Sequence, residues 1–333
     1  MLNLFRRLSL LVYLSCYAAV ATAQLSPSTS FIDSLITPSS LQHIVQTLAA
    51  DSFQGRLAGS NEAVQAARFI AEAFKNAGAL QIAGADGYFM SFYNREIGTA
   101  VNVVAAIPGR SKAKELLIFS AHYDHVGNDP HSYYYKPPER GHPEKGDKIY
   151  NGANDNASGI SGLIHLIRYF SAQQNNERTL VFIAFSGEEE GLLGSQHMAK
   201  SFNPKVIKAM INMDMIGRPI DDGKKYPYLT GDGRSNLLQL LNKKLFKLAP
   251  QYGNKYFKGD NFPEDNLYKR SDNYSFARRG VIAHTILTSS PHDIYYHSLN
   301  DEWEMLDYPF MADVVKAIAL ACTGLIDGSD TPE

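Results

Sequence analysis

Short apolar runs alternate with longer stretches of helical periodicity along most of this chain, and no other feature constrains the fold as strongly. The apolar runs occupy residues 100–107, 115–124, 179–187, 206–217 and 281–289. The stretches with helical spacing occupy residues 38–50, 60–79, 157–172, 236–249 and 308–322. Strands that are apolar throughout are typical of a sheet that helices bury on both faces. The pattern therefore predicts an α/β fold, a three-layer sandwich with a mixed, mostly parallel central sheet flanked by helices.

Polar residues of the kinds that bind metals lie near or beyond the ends of these apolar runs. They are His122, Asp124, Asp155, Glu188, Glu189, Glu190, Asp214 and His297. Parallel strands end at one edge of their sheet, where the sites of such folds form, so we expect these side chains to lie close together. Imidazole nitrogens and carboxylate oxygens suit zinc, and a carboxylate can bridge two zinc ions.

Several of these residues also have an interpretation without metal. Asp155 stands in a turn that opens a helix, where a capping residue is common. A lone histidine such as His297 is usually structural. Asp214 interrupts an apolar stretch, where an unpaired carboxylate is costly, so it is the least surface-like of the acids.

The order His122, Asp124, His125 raises the question of which side chains face the site. In an extended strand, residues two apart share a face, so Asp124 can hydrogen-bond the far nitrogen of His122 and fix its tautomer. By the same alternation His125, although close to the site, is expected on the strand face opposite to His122.

The first residues predict a secretory signal sequence. Two arginines precede an apolar run, and a small-residue cleavage pattern ends at Ala23. We therefore expect a signal peptide over residues 1–23, a single domain over 24–333, and export to the periplasm or the medium. The alternative is an uncleaved membrane anchor or a lipid anchor on Cys16. No later segment approaches the ~20 apolar residues of a membrane span, so no stable membrane association is expected after cleavage.

Charge and cysteine content exclude several classes of function. The 333 residues include 32 Lys and Arg against 34 Asp and Glu, and the basic residues form no stripe, so no nucleic-acid partner is expected. Cleavage would leave Cys322 as the one cysteine, in a helical pattern where it is expected to be a buried apolar residue. No G-x-S-x-G motif is present, which disfavours a serine hydrolase. We expect a monomer.

Five motifs together resemble those of the M28 zinc peptidases, the aminopeptidases with two co-catalytic zinc ions. In the order of the family they are AHYDHVG, NGANDNASG, FSGEEEGLLGS, NMDMIG and YYHSLNDEWE. FQGRLAGS upstream and SDNYSFARRG downstream are also similar to the family. The resemblance covers the chain from about residue 35 to 325, and it implies a fold that agrees with the one predicted from the apolar pattern.

The resemblance also implies a role for each matching residue. It gives two zinc ions five ligands: Asp155 as the bridge, His122 and Asp214 on one ion, and Glu189 and His297 on the other. It makes Glu188 the general base, Asp124 the partner that orients His122, and Glu190 the variable position of a G-E-E-x-G motif. The implied activity is hydrolysis of the N-terminal residue from peptides.

Other functions remain open on the same fold. A glutaminyl cyclase uses one zinc ion, and here His122 and Asp214 favour the two-zinc peptidase. Carboxypeptidase or dipeptidase action stays possible because a metal centre alone does not choose the peptide end. An inactive binding protein is disfavoured because no key position is missing. Tyr274 and Phe276 of SDNYSFARRG are candidates for the side-chain pocket, or plain core residues.

Overall fold

A seven-stranded mixed sheet forms the centre of the computed structural model, which describes residues 29–128, 147–221 and 223–333. The strands are β1 (Phe89–Asn94), β2 (Gly98–Ile107), β3 (Lys112–His122), β4 (Arg178–Phe185), β5 (Ile207–Met213), β6 (Tyr228–Leu229) and β7 (Ala283–Leu287). Their order is β1-β2-β4-β3-β5-β7-β6. The four strands β4, β3, β5 and β7 run parallel, and the antiparallel pairs lie towards the two sides. The predicted α/β fold class is confirmed.

Helices cover both faces of this sheet. They are α1 (Thr29–Leu35), α2 (Pro38–Leu48), α3 (Asn61–Asn76), α4 (Ser158–Gln173), α5 (Leu193–Ser201), α6 (Leu237–Leu248), α7 (Asn273–Ala277), α8 (Tyr308–Ala321) and α9 (Thr323–Asp327). Leu117 and Phe119 of β3 pack in the cluster that contains α2, α4 and α8, whereas Ile118 packs with α5 and α7. Both faces of the strand are buried, which is why its residues are apolar throughout.

The register of the parallel strands brings their carboxyl ends to one edge. His122, the last residue of β3, lies beside Phe185, the last residue of β4. Asn212, near the end of β5, pairs with Ser120 of β3 on one side and Thr285 of β7 on the other. The segments that follow β3, β4 and β5 therefore leave the sheet close together, and these segments carry most of the predicted site.

The predicted signal peptide lies outside the described residues, and so does Cys16. Cleavage after Ala23 and the assignment of 24–333 to one domain stay predictions.

The last long helix is buried in the core. Among the described residues, the stretch Tyr308–Asp327 has the length and hydropathy of a membrane span. The sequence pattern did not predict this. Of the most apolar part of the stretch, 78% is buried inside the protein. That degree of burial is typical of a core helix. Cys322, which follows α8, has no exposed surface, as predicted, and burial raises the pKa of its thiol.

A buried histidine in α4 predicts acid-sensitive stability. His165 is fully buried, with Nδ1 2.8 Å from the backbone oxygen of Ser161 and Nε2 2.8 Å from Oγ of Ser40. Burial lowers the pKa of His165 from 6.5 to about 4. The unfolded chain therefore binds a proton in this window that the folded chain does not. Stability should fall by up to about 3 kcal/mol as the pH drops from 6.5 to 4.

Urea unfolding at a series of pH values, with a chelator present to remove any contribution from metal, measures this effect. The variant His165→Gln should lose less stability than the parent between pH 6.5 and 4. Equal slopes in the two proteins would show that His165 does not cause the acid sensitivity.

Candidate metal centre

The first group of donor atoms lies at the end of β3. Nε2 of His122 lies 3.3 Å from Oδ1 of Asp155 and 3.4 Å from Oδ1 of Asp214. Asp155 comes from the turn before α4, and Asp214 directly follows β5. The ligand atoms of the three residues lie within 4.8 Å of one another, a separation at which one ion can contact all of them.

A second group shares Asp155. Nε2 of His297 lies 3.2 Å from Oδ2 of Asp155 and 3.0 Å from Oε2 of Glu189. His125 joins this group, with Nδ1 3.1 Å from Oε1 of Glu189. The four residues also offer ligand atoms within 4.8 Å of one another. One carboxylate oxygen of Asp155 faces each group, which is the arrangement that a bridging ligand needs.

The three consecutive glutamates after β4 have different surroundings. Glu189 belongs to the second group of donors, whereas Glu188 lines the adjoining pocket and Glu190 does not. Burial raises the pKa of Glu188 well above its usual value, and the carboxylates of Glu189 and Asp214 add to the shift against the opposing effect of His122. The surroundings of Glu188 therefore favour the protonated form of its carboxyl group.

Asp124 contacts His122 differently from the sequence-based prediction. Nδ1 of His122 lies 3.2 Å from the backbone oxygen of Asp124 and 3.8 Å from its Oδ1. The other carboxylate oxygen of Asp124 accepts a hydrogen bond of 3.2 Å from the backbone N–H of Glu189. Because β3 ends at His122, the alternation of a strand no longer applies to the next residues. Asp124 thus orients His122 mainly through its backbone and orients Glu189 through its side chain.

Buried Arg56 forms hydrogen bonds to the backbone of the segments that carry these ligands. Its Nε donates to the backbone oxygen of Tyr123 at 2.6 Å, and its Nη1 donates to those of Leu48 and Asn151 at 2.5 and 2.7 Å. Its Nη2 donates to the backbone oxygen of Gly152 at 2.9 Å. Burial lowers the pKa of Arg56 to about 10, so the group stays charged at neutral pH. The end of β3 is thereby fixed against the turn before α4.

Asp301 and Gly152 shape the turn that carries Asp155. The carboxylate of Asp301 accepts hydrogen bonds from the backbone N–H of Asn154 at 3.1 Å and of Asp155 at 3.0 Å. Arg218 donates to Asp301 at 2.9 Å and neutralises its buried charge. Gly152 has a φ of 57°, and a Cβ there would collide with the backbone oxygen of Asp155. The position of Asp155 therefore depends on contacts from several distant segments.

The donor set fits zinc in kind and in charge. Carboxylate oxygens and imidazole nitrogens are ordinary zinc ligands. Although burial lowers it, the carboxylates of Glu189 and Asp155 raise the pKa of His297 to about 10. The carboxylates around His122 likewise raise its pKa well above the usual value, against burial. A site that draws protons onto two buried imidazoles has an excess of negative charge, which divalent cations can neutralise in their place.

Three residues of this arrangement are absent from the sequence-based prediction of the site: His125, Arg56 and Asp301. The alternation of faces misplaced His125 because β3 ends at His122, and a chain that leaves its strand need not keep that alternation. Nothing in the sequence distinguishes Asp301 from its acidic neighbours.

Comparison with known proteins identifies the family. A family model described as "Peptidase family M28" matches residues 102–322, well over half of the chain. The chain belongs to peptidase family M28. The resemblance predicted from the five motifs is therefore confirmed.

Curated relatives of this M28 chain carry peptidase names. A "Probable zinc metalloprotease" of Phaeosphaeria nodorum is 34% identical over 131 residues, which cover 38% of this chain and 26% of that protein. A "Probable leucine aminopeptidase" of Trichophyton verrucosum is 27% identical over 300 residues, 86% of this chain and 73% of that protein. The M28 chain thus spans about a quarter of the length of the former relative and about three quarters of the latter. These names support the predicted enzyme class, a zinc metallopeptidase.

Solved structures of the same fold include more than one activity. The LapA aminopeptidase of Legionella pneumophila matches with a TM-score of 0.67 at 20% identity, over 90% of this M28 chain and 75% of that one. The glutaminyl cyclase of Porphyromonas gingivalis matches with a TM-score of 0.64 at 18% identity, over 89% and 99%. At such identities the similarity shows the fold alone, so the reaction must be argued from the site.

Proposed function

We propose that this M28 chain is an exported zinc aminopeptidase that removes N-terminal residues from peptides through a two-zinc centre, with Glu188 as general base. The observation that carries the proposal is the pair of donor groups joined by Asp155, beside a carboxyl group that belongs to neither group and faces the pocket. Export rests on the sequence of residues 1–23.

Each ion would have its own ligands. His122 and Asp214 would hold one zinc ion, Glu189 and His297 the other, and Asp155 both. The two ions carry four positive charges against three from the ligand carboxylates, so one further anion would neutralise the centre. Three protein contacts to each ion leave an open position, which is the pattern of catalytic rather than structural zinc.

Glu188 would move the proton in this reaction. Zinc, when bound, activates water and polarises a carbonyl oxygen. Glu188 would accept the proton of the attacking water and deliver it to the amine that leaves, and its raised pKa favours uptake of that proton. Asp124 and Asp301 hold the backbone of Glu189 and Asp155 in place, and His125 orients the carboxylate of Glu189.

The choice of substrate end and of reaction is also part of the proposal. A free α-amine of the substrate would bind at the open position of the centre, which would restrict cleavage to the first peptide bond. The name of the Trichophyton verrucosum relative supports the same end. A one-zinc cyclase needs a single group of donors, so the presence of His122 and Asp214 as further donors beside Asp155 favours the peptidase.

A peptide-library digest with mass-spectrometric readout tests the proposal. The protein loaded with zinc should shorten peptides from the amino end, and excess chelator should abolish the cleavage. Chelation should also lower the midpoint of thermal unfolding by about 5–10 °C, because the carboxylates of the centre lose their counter-ions. Added zinc should restore both properties.

Three results would contradict parts of this proposal. Ammonia release from glutaminyl peptides without hydrolysis would favour the cyclase. Shortening from the carboxyl end would favour a carboxypeptidase. An unchanged unfolding midpoint and unchanged cleavage in excess chelator would exclude metal from the centre.

A further inference from the structure

The pocket in front of the metal centre has its charges divided between two sides. It has a volume of about 500 Å³. The acidic residues that line it all belong to the metal centre or to the neighbouring Glu188. Among the described residues, those that line it elsewhere with a full charge are all basic: Lys269, Arg270 and Arg278. We call these three residues the basic wall.

The basic wall has no acidic partner in the part of the chain that the structure describes, because no carboxylate there forms an ion pair with any of its members. The two guanidinium groups instead lie beside tyrosine side chains. Nη2 of Arg270 donates to the hydroxyl of Tyr296 at 3.3 Å, and Cζ of Arg278 lies 6.0 Å from the ring centroid of Tyr274. A guanidinium group on an aromatic ring keeps most of its N–H donors available for a carboxylate.

Arg270 lies close to the place where the scissile bond must sit. The ring of Tyr296 stacks on the ring of His297, with centroids 4.0 Å apart, and Cζ of Arg270 lies 6.0 Å from the Tyr296 centroid. A single aromatic ring therefore separates the guanidinium group from a proposed zinc ligand. Cζ of Arg270 therefore lies no more than about 10 Å from the His297 ring centroid, close enough for this exposed, flexible side chain to contact a carboxylate on a residue next to the bond that is cut.

We propose that Arg270 and Arg278 select substrates that carry a carboxylate within one residue of the scissile bond. This inference rests on the proposed peptidase function and adds a substrate class to it. The metal centre would bind the α-amine of the peptide, and the basic wall would bind the carboxylate through charge-assisted hydrogen bonds. The basic wall would thus be the part of the pocket whose charge is complementary to an acidic substrate.

Two kinds of peptide present such a carboxylate. One has Asp or Glu as its N-terminal residue, and the other is a dipeptide whose own C-terminal carboxylate follows the scissile bond directly. Both kinds of peptide place a carboxylate at the basic wall. Comparing each with a neutral substrate of the same shape shows which kind the protein prefers.

The experiment compares the kcat/KM of two substrate pairs on the zinc-loaded protein. The first pair is a C-terminally amidated tetrapeptide that begins with Glu or with Gln, and the second is the dipeptide Leu-Leu as free acid or as amide. We expect the acid to be preferred at least about tenfold in one pair at low salt. Because exposed charges are screened, the preference should decline in 0.5 M salt.

Substitutions then assign the preference to the basic wall. The double variant Arg270→Gln, Arg278→Gln should bring the ratio of acid to neutral substrate to within about twofold of one. Arg279→Gln is the matched control, because Arg279 is adjacent in sequence and exposed but does not line the pocket. It should keep the full preference. A preference that survives in the double variant would exclude the basic wall as its source.

The same measurements distinguish this inference from the proposed function. Cleavage of the neutral peptides with no preference for acid in either pair would overturn the inference alone. If no peptide were cut, the proposed function would fail. Equilibrium binding of the Glu and Gln peptides to the Glu188→Gln variant would then still decide the inference, since equal dissociation constants would overturn it.

Discussion

Replacing Glu188 with Gln should lower kcat for peptide hydrolysis by about 10²–10⁴-fold and leave the zinc content of the protein unchanged. Glu188 lines the pocket but belongs to neither group of donor atoms, so its proposed task is proton transfer rather than metal binding. A glutamine has the same shape but cannot accept the proton. Steady-state kinetics and metal analysis of the same preparation measure both properties.

The neighbouring glutamates supply the controls. Glu189→Gln should weaken zinc binding, because the carboxylate of Glu189 contacts His297 and His125 within the second donor group. Glu190→Gln should change little, because Glu190 lies outside the pocket lining. If Glu190→Gln proved to be the inactive variant that keeps its zinc, the assignment of roles within the three glutamates would be wrong.

Replacing Arg56 with Met should lower the free energy of unfolding by about 3–5 kcal/mol and also weaken zinc binding. The substitution removes the Arg56 donor from four buried backbone oxygens, two of them in the segment Asn151–Gly152 just before Asp155, and the oxygen of Gly152 keeps a longer hydrogen bond from Ala157. It also removes a buried positive charge from the neighbourhood of an acidic centre. Urea unfolding in chelator isolates the stability effect, and competition with a chromogenic chelator measures zinc affinity.

A second buried arginine, far from the metal centre, serves as a control that distinguishes loss of stability from loss of zinc affinity. Arg178, at the start of β4, donates to the backbone oxygens of Leu325 and Asp330 and to Glu115, at the end of the strand opposite the metal centre. Arg178→Met should destabilise the fold without changing zinc affinity. Equal zinc affinity in the Arg56→Met variant would show that Arg56 supports the fold only.

The central strands could be predicted from the sequence because helices bury them on both faces. Such burial selects an unbroken apolar run, as in the consecutive residues Leu117, Ile118 and Phe119, and that signal is strong. β1 and β6 were not predictable in this way. Most of β1 is partly exposed at the side of the sheet, and β6 has only two residues, so its pairing with β7 determines it more than its own side chains do.

The candidate site was predictable only in part, for a physical reason. Residues such as His122, Glu189 and Asp214 lie at or shortly after the ends of parallel strands, and the geometry of a parallel sheet brings such positions together. His125 follows the end of the strand, where the direction of a side chain depends on backbone torsions that no periodicity reports. Arg56 is fully buried although arginine is usually exposed, so its four hydrogen bonds could not be inferred from residue type.

Alkylation of the buried thiol of Cys322 can be used to measure local unfolding of the protein. A thiolate reacts with alkylating reagents, whereas this thiol is both shielded from solvent and held in its neutral form. In a chain without Cys16, labelling would therefore record how often the packing around the end of α8 comes apart. The rate of labelling would report the frequency of local unfolding around Cys322, without an engineered probe.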